Sequence, residues 1–371
     1  MGIINNIGLI YYILPYSHII ENRFNLILSI FFGRKSFRIR LTDNRDFQFE
    51  NDQYTTMLHL LGILTFATNY KIIENDILEV SFDFKNQFKI NLRNISKEDE
   101  NLLELLFLGS KFGVNFINTK NLIKNENRGK TVAIYQENGK SIVETPNNVK
   151  FFLDSIHPGN TIIETFIQRI HDIRVDDDWS GKLVIDVGAE CGDTALYYAK
   201  LGAKVIAFEA IKENYDAALQ NLSLNEELSN KISLINNAIG KDGTLKFFQS
   251  KDTPDIGSSF VYNKRGDDAK IVFVEGYSLE TVIKKFSVEH IDLLKMDCKG
   301  CEFSLNKDIL EKISEIKIEY VANSQDRRVE NLLNLLKESG FTSDIYRVDP
   351  SSRLSNKSTG HIYSRKNIEK N

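Results

Sequence analysis

The passage from Lys182 to Glu209 constrains this chain more than any other. Lys182-Leu183-Val184-Ile185-Asp186 has the composition of a short strand, Gly188 and Gly192 follow it, and Asp193 to Leu201 has a helical pattern. Lys204-Val205-Ile206-Ala207-Phe208-Glu209 is then a second strand. Strand, glycine-bearing turn, helix and strand in that order describe a parallel strand-helix-strand unit. The strands are apolar almost throughout, as expected where both faces of a sheet are covered.

The same rhythm continues downstream. Ile232 to Ile239, Ile291 to Met296 and Ile316 to Val321 supply further strands, with helical segments between. Val329, Leu332, Leu333 and Leu336 form a helix stripe that ends at Gly340, and Ser343 to Val348 and His361 to Ser364 read as two short strands with nothing helical between them. A closing hairpin of this kind predicts one antiparallel strand in an otherwise parallel α/β sheet.

The first 150 residues have a different rhythm, with hairpins joined by turn signals. Phe37 to Leu41 alternates, Ile77 to Phe82 meets Phe88 to Leu92 across Lys85-Asn86-Gln87, and Thr131 to Tyr135 meets Ser141 to Glu144 across Glu137-Asn138-Gly139. Asn-Gly supplies the positive φ that a two-residue hairpin turn requires. Thr56 to Ala67 and Leu102 to Phe112 read as short buried helices. A chain of 371 residues is long enough for two domains. The expected division is an α+β region over residues 1–150 and an α/β domain over 151–371, led by a helix within Ile156 to Ile173.

Composition bounds the partners. Charged residues are 26% of the chain and the net charge is -4, so no broad field points to nucleic acid or an anionic membrane. No apolar run reaches the roughly 18 residues that span a bilayer, since Leu26 to Phe32 gives way to Arg34, Lys35 and Arg38. The start Met1-Gly2-Ile3-Ile4-Asn5 lacks the pattern of a secretory signal. The three cysteines fit a reducing compartment. A cytoplasmic protein is the expectation.

Chemistry concentrates in Asp186-Val187-Gly188-Ala189-Glu190-Cys191-Gly192-Asp193-Thr194. The glycines let the backbone turn sharply and approach a ligand, and doubly wound sheets bind cofactors at such a turn. Glu209, at the end of the second strand, can accept both ribose hydroxyls of an adenosyl ligand. The spacing is Gly-x-x-x-Gly, whereas a dinucleotide site wants Gly-x-Gly-x-x-Gly to hold a pyrophosphate. Glu190 and Asp193 would repel phosphates and suit an ammonium and a sulfonium. Without Glu209 the turn would serve equally well as a helix cap.

These residues resemble the FkbM family of methyltransferases. The resemblance runs from Asp186 through Thr194, Gly202 to Glu209, Asn225 and Asn237-Ala238-Ile239-Gly240. It continues through Ser258-Ser259, Ser278-Leu279-Glu280 and Ile291 to Glu302, covering about residues 180–365 in order. It implies a Rossmann-like, doubly wound methyltransferase sheet of seven strands with the last hairpin reversed at one edge. It also implies S-adenosyl-L-methionine as donor and a hydroxyl acceptor on a sugar, glycan or small metabolite. By position, Asp186, Gly188, Ala189, Gly192, Asp193 and Thr194 shape the cofactor loop, Glu209 and Ala210 hold the ribose, and Asn237 and Ala238 flank the adenine. Ser258 and Ser259 fall on the substrate side. The chain departs from the family in having Ala210 where proline is usual, and Lys299-Gly300 where an acidic residue precedes glycine.

Asp297 ends its strand beside the first strand in the implied order. Methyl transfer to a hydroxyl needs a base, worth about 10²- to 10⁴-fold, and Asp297 is the first candidate. Glu302 and Glu319 are the neighbouring carboxylates; three such groups could instead hold a hard divalent metal, or Asp297 could orient backbone while Glu302 caps a helix. No metal is assigned. His157 and His171 are expected in surface or core roles. Cys298 and Cys301 form Cys-x-x-Cys, open to a redox pair or a metal half-site, with Cys191 expected nearby; the simpler expectation is free cysteines standing in for the family's small apolar residues. Two classes of function follow: an O-methyltransferase acting on a saccharide or small molecule, or a non-catalytic scaffold that retains the fold.

Overall fold

Contacts divide the chain into two units, Met1–Arg169 and Ile170–Asn371. This computed structural model describes residues 19–73, 76–83, 85–120, 129–171, 178–249, 270–322, 327–348 and 358–367. The sequence expectation put the change at about residue 150.

The first unit is α+β. Helix α1 (Arg23–Phe31) leads into the hairpin of β1 (Ser36–Arg40) and β2 (Asp46–Glu50), and helix α2 (Tyr54–Phe66) follows. Strands β3 (Asn69–Ile73), β4 (Ile77–Ser81) and β5 (Gln87–Asn91) form an antiparallel sheet. After helix α3 (Lys97–Lys111), a four-stranded sheet is ordered β6 (Asn115–Ile117), β7 (Thr131–Glu137), β8 (Lys140–Glu144), β9 (Lys150–Phe152). Asn138 and Gly139, at φ 52° and 78°, make the β7–β8 turn that the sequence requires there. Helix α3 starts at Ser96, whose hydroxyl accepts from the Asp99 N–H while the Asp99 carboxylate accepts from the Ser96 N–H. The expected leading helix of the second domain is a wide helix, Gly159–Ile167, that packs on α3 within this first unit.

The second unit is built on one seven-stranded sheet. Its strands are β10 (Leu183–Val187), β11 (Lys204–Phe208), β12 (Ile232–Ile235), β16 (Ile291–Met296), β17 (Ile313–Ala322), β18 (Phe341–Val348) and β19 (Ser358–Lys366). They are ordered β12-β11-β10-β16-β17-β19-β18, parallel except for β19, which runs against both neighbours. The fold is the doubly wound α/β sheet with a reversed edge hairpin that the sequence pattern implies. Helix α4 (Asp193–Lys200) links β10 to β11, and α5 (Lys212–Ser223) and the short α6 (Glu226–Ser229) link β11 to β12. Burial of nearly every position in β10, β11 and β16 is the mark of a sheet covered on both faces. The chain winds outward from β10 to β12, then crosses back to β16 on the other side of β10. Ligands bind above such a reversal in doubly wound sheets.

One expected strand divides. Ile232 to Ile239 is β12 plus a separate two-residue strand, β13 (Ala238–Ile239), which leaves the main sheet and pairs with β15 (Lys270–Tyr277) beside β14 (Gly243–Gln249). The break falls at Asn236 and Asn237. The Asn236 amide donates to the carbonyls of Glu209 and Ala210, drawing the chain toward the end of β11. The hairpin of β14 and β15 was not read in the sequence. Helix α7 (Leu279–Lys285), the short α8 (Lys307–Leu310) and α9 (Val329–Glu338) complete the unit. Among the described residues no helix is long and apolar enough to cross a membrane.

The first unit offers a direct packing test. A Cβ added to Gly62 on α2 would sit 2.2 Å from the Phe107 ring of α3, and that ring is buried between His59 and Phe66. Alanine improves helix propensity by about 1 kcal/mol, whereas forcing a core ring aside costs about 1–3 kcal/mol. Gly62→Ala is therefore expected to destabilise the protein despite its better propensity, measured as a lower midpoint in urea. A stabilised variant would mean that Phe107 has room to move.

Candidate active site

Two strands that meet at the reversal carry a buried ion pair. Asp186 and Lys295 are register partners on β10 and β16. Lys295 Nζ lies 3.0 Å from Asp186 Oδ1 and donates to the Gly188 carbonyl at 2.9 Å, with side-chain exposures of 6% and 0% for the lysine and aspartate. Burial pulls the lysine toward its neutral form, but the carboxylates of Asp186, Asp297 and Asp193 outweigh it and hold the ammonium protonated. The lysine stands between the buried Leu294 and Met296, which is the sequence signal that was missed: a charge there demands a buried partner.

The turn above this pair is closely fitted. Gly188 has φ 80°, and a Cβ on it would fall 2.1 Å from the Asp297 carbonyl oxygen. Only glycine lets the end of β10 come this near the end of β16. The Asp297 N–H donates to the Val187 carbonyl at 2.8 Å, and the Gly188 and Ala189 N–H groups both donate to the Phe208 carbonyl. Gly192, at φ 85°, caps α4, whose first residues Asp193 and Thr194 are buried.

Glu209 ties two loops together. Its Oε2 accepts from the Glu190 N–H at 2.9 Å and its Oε1 from the Ile211 N–H at 2.8 Å. Burial pushes this carboxyl up to about 7 against those two bonds. Asn237 donates from its amide to the Glu275 carbonyl at 3.2 Å, joining β13 to β15.

Asp297 and Glu319 form a proton-sharing pair. The Asp297 charge, followed by burial, raises Glu319 to about 8. Burial pushes Asp297 up as well, but Lys299, Lys295 and the hydrogen bond from Glu319 outweigh it and hold Asp297 below the ordinary range. In the resting state Glu319 is thus the acid and Asp297 the carboxylate. Asp297 Oδ1 is buried and accepts no hydrogen bond.

The segment after Asp297 corrects the expectation of free cysteines. Cys298 and Cys301 are joined as a disulfide, with Cα atoms 5.6 Å apart, while Cys191 is a separate buried thiol. The sulfur–sulfur bond leaves neither sulfur as a thiolate ligand. Glu302 is fully buried, with Oε2 accepting from the Gly300 N–H at 2.6 Å and Oε1 from the Val321 N–H at 3.0 Å. Its carboxylate anchors backbone. His171 is also buried, with Nδ1 2.6 Å from Lys317 Nζ, which is the core one of the two roles expected of it.

Of the residues singled out from sequence, Gly188, Glu209, Ala210, Asn237, Ala238 and Asp297 line one cleft. Glu190, Ile211, Asn214, Ile239, Phe247, Cys298 and Lys299 line it too, and sequence reasoning gave none of them a cleft role except Glu190. Asp186, Ala189, Gly192, Asp193, Thr194 and Glu302 are not on its wall. Glu319 reaches it through Asp297. Ser258 and Ser259 lie outside the described residues.

The second unit is a doubly wound, Rossmann-like sheet with a cleft above the reversal in its strand order. Residues 186–343 match the family described as "Methyltransferase FkbM domain". "Methyltransferase sdnD" of Sordaria araneosa is 29% identical over 183 residues, 41% of this chain and 69% of that protein. Among solved structures, methyltransferase FkbM of Methylobacillus flagellatus is similar at 17% identity and a TM-score of 0.34, over 54% of this chain and 47% of that one. M. jannaschii TYW2, described as in complex with AdoMet, is similar at 14% identity and a TM-score of 0.34, over 64% and 87% of the two chains.

The raised carboxyls fix the sign of a pH effect on stability. A carboxyl raised on folding stabilises fully below its unfolded value, 4.5, and that stability is lost as pH climbs through about 7 for Glu209 and about 8 for Glu319. The buried His59 and His171, both lowered by burial, oppose the trend near 6.5, where the unfolded chain still binds part of a proton at each, and cease to do so by about 7.5. Unfolding free energy is expected to fall between pH 6.5 and 8, at up to about 1.4 kcal/mol per pH unit for each proton involved. In Glu319→Gln the fall should be shallower, read by urea titration at both ends of that range. An identical slope in the variant would remove Glu319 as a source.

Proposed function

We propose that this chain binds S-adenosylmethionine in the cleft and methylates a hydroxyl of a small-molecule or saccharide acceptor. The observation that carries the reading is Glu209, a buried carboxylate at the carboxyl end of the strand next to the glycine turn, on the wall of the cleft. Of the about four acceptor positions of its two oxygens, the Glu190 and Ile211 N–H groups and the Asn214 side chain take three, which leaves one toward the cleft for a ribose hydroxyl. Ile211, Ala238, Ile239 and Phe247 offer apolar surface for an adenine, and the carboxylates of Glu190 and Asp297 suit a ligand with ammonium and sulfonium charges. These residues fit the cofactor. When bound, S-adenosylmethionine supplies an electrophilic methyl group.

What remains for the protein is to hold the acceptor hydroxyl and remove its proton. Asp297 is the base, with Oδ1 open to accept. While Glu319 keeps its proton and shares it with Asp297, that base is weak. Once the pair has lost the shared proton, above about 8, it takes the hydroxyl proton more readily. Turnover is therefore expected to rise with pH through that value.

Two variants separate binding from chemistry. Glu209→Gln keeps the side-chain shape but loses the charge and one acceptor position, so the S-adenosylmethionine Kd should rise by about 10- to 100-fold in calorimetry. Asp297→Asn should leave that Kd within a few-fold and lower kcat by about 10²- to 10⁴-fold in labelled methyl transfer. Equal losses of affinity in both variants would make Asp297 a cofactor-binding residue and leave the base unassigned.

A further inference from the structure

The disulfide takes no part in the proposed reaction, yet it belongs to the wall of the same cleft. Asp297, Cys298 and Lys299 all line it, and the Cys298–Cys301 bond closes a small ring around Lys299 and Gly300. Inside the ring Lys299 has φ 49° and Gly300 φ 140°. A lysine in the left-handed region costs on the order of 1 kcal/mol and stays there only where its surroundings impose it. Here they are the covalent ring and the Glu302 carboxylate, which holds the Gly300 N–H.

The ring therefore decides where the Lys299 ammonium lies. That charge faces Asp297, Glu319, Glu190 and Glu209. Asp297 in turn faces Lys299, Lys295, Glu319, His361 and Asp186. Lys299 is the leading influence that keeps Asp297 ionised against burial. Moving the ammonium away makes the carboxylate pair hold its proton more tightly, because a like-charge pair in a low-dielectric site then loses a compensating cation.

The two sulfurs differ in access. Cys298 is half-buried on the cleft wall, whereas Cys301 is fully buried in the sheet core. A thiolate entering the cleft meets Cys298 first.

We propose that Cys298–Cys301 is a thiol–disulfide switch on the active cleft: the disulfide holds Lys299 beside Asp297, and reduction by a dithiol releases Lys299 and lowers turnover near neutral pH. One thiolate of the dithiol attacks Cys298 Sγ, the sulfur–sulfur bond breaks, and its electron pair leaves on Cys301 Sγ, which takes up a proton. The second thiol attacks the mixed disulfide, releasing Cys298 as a thiolate that is then protonated, and the reductant leaves as a cyclic disulfide. Two electrons and two protons pass to the protein. The freed Cys298 S–H faces Glu302 Oε2 at 3.6 Å, the oxygen that holds Gly300, and competes for it.

The functional half of the switch rests on the methyl-transfer reading; its structural half has its own readout. The full chain is equilibrated with or without dithiothreitol and alkylated after denaturation. Of the three cysteines, one is expected to react without reductant and all three with it. Acetylation of Lys299 in the folded protein, followed by peptide mass, should be about fivefold faster in the reduced form, as for a locally opened segment. Labelled methyl transfer from S-adenosylmethionine into an acceptor-containing extract fraction should show its rising pH limb displaced upward by about one unit on reduction, roughly tenfold in rate at a pH on that limb. Reoxidation should reverse it, and Cys298→Ser should not respond to dithiothreitol while Cys191→Ser should. Three labels without reductant, equal Lys299 acetylation in the two forms, or a response that persists in Cys298→Ser would each overturn the switch. Absence of transfer in both forms, with Lys299 acetylation still redox-dependent, would overturn the methyl-transfer reading and uphold the ring as a redox-sensitive structure.

Discussion

The Asp186–Lys295 pair is the interaction on which the site depends. It joins the two strands that flank the reversal in winding, and its ammonium also holds the Gly188 carbonyl, so the glycine turn is fixed from below by a charge. A buried ion pair contributes little net stability over an apolar substitute, but removing one partner strands a charge at a cost of about 3–5 kcal/mol. Its value here is geometric. With Lys295 in place, Gly188 and Asp297 meet closely enough that no side chain fits between them, and Glu209 is brought to the adjoining loop through the Glu190 N–H.

From that pair outward, charges alternate through the site. Asp186 meets Lys295, Lys295 also faces Asp297, and Asp297 lies between Lys299 and the protonated Glu319. Four of these five groups sit on β16 or next to its end, or on the adjoining β10, and Glu319 is on the next strand, β17. The alternation lets a compact α/β core carry several carboxyls where desolvation alone would forbid them. At Glu319 the two lysines do not suffice beside the Asp297 charge, and a shared proton completes the balance.

Much of this was legible in the chain. The β10–α4–β11 passage was readable because apolar strand runs, glycines and a helical pattern agree over one segment, and the reversed hairpin because no helix fits between its strands. Glu209 could be found because a strand's end fixes a side chain's position in a doubly wound sheet. The departure of β13 could not be read, since Ala238 and Ile239 continue the strand composition of Ile232 to Ile235 and only the Asn236 amide, reaching back to Glu209 and Ala210, shows that the chain turns away. The role of Glu302 was hidden for a related reason: its partners are the backbone N–H groups of Gly300 and Val321, and backbone donors carry no sequence signal. The Gly159–Ile167 helix has the apolar pattern of a sheet-covering helix, and that pattern does not say which surface it covers.

Lys299 draws these strands together. A lysine in the left-handed region between two joined cysteines would be an unfavourable choice for a tight turn if turn stability were all that mattered, since a small or acidic residue would cost less there. Its conformation is imposed by the ring, and its charge faces Asp297, which the cleft must keep ionised, and the acidic groups around it. The strain and the electrostatics thus act at one residue: what the backbone loses by holding a non-glycine at positive φ is offset by an ammonium delivered to Asp297, Glu319, Glu190 and Glu209 without a further strand or helix to carry it.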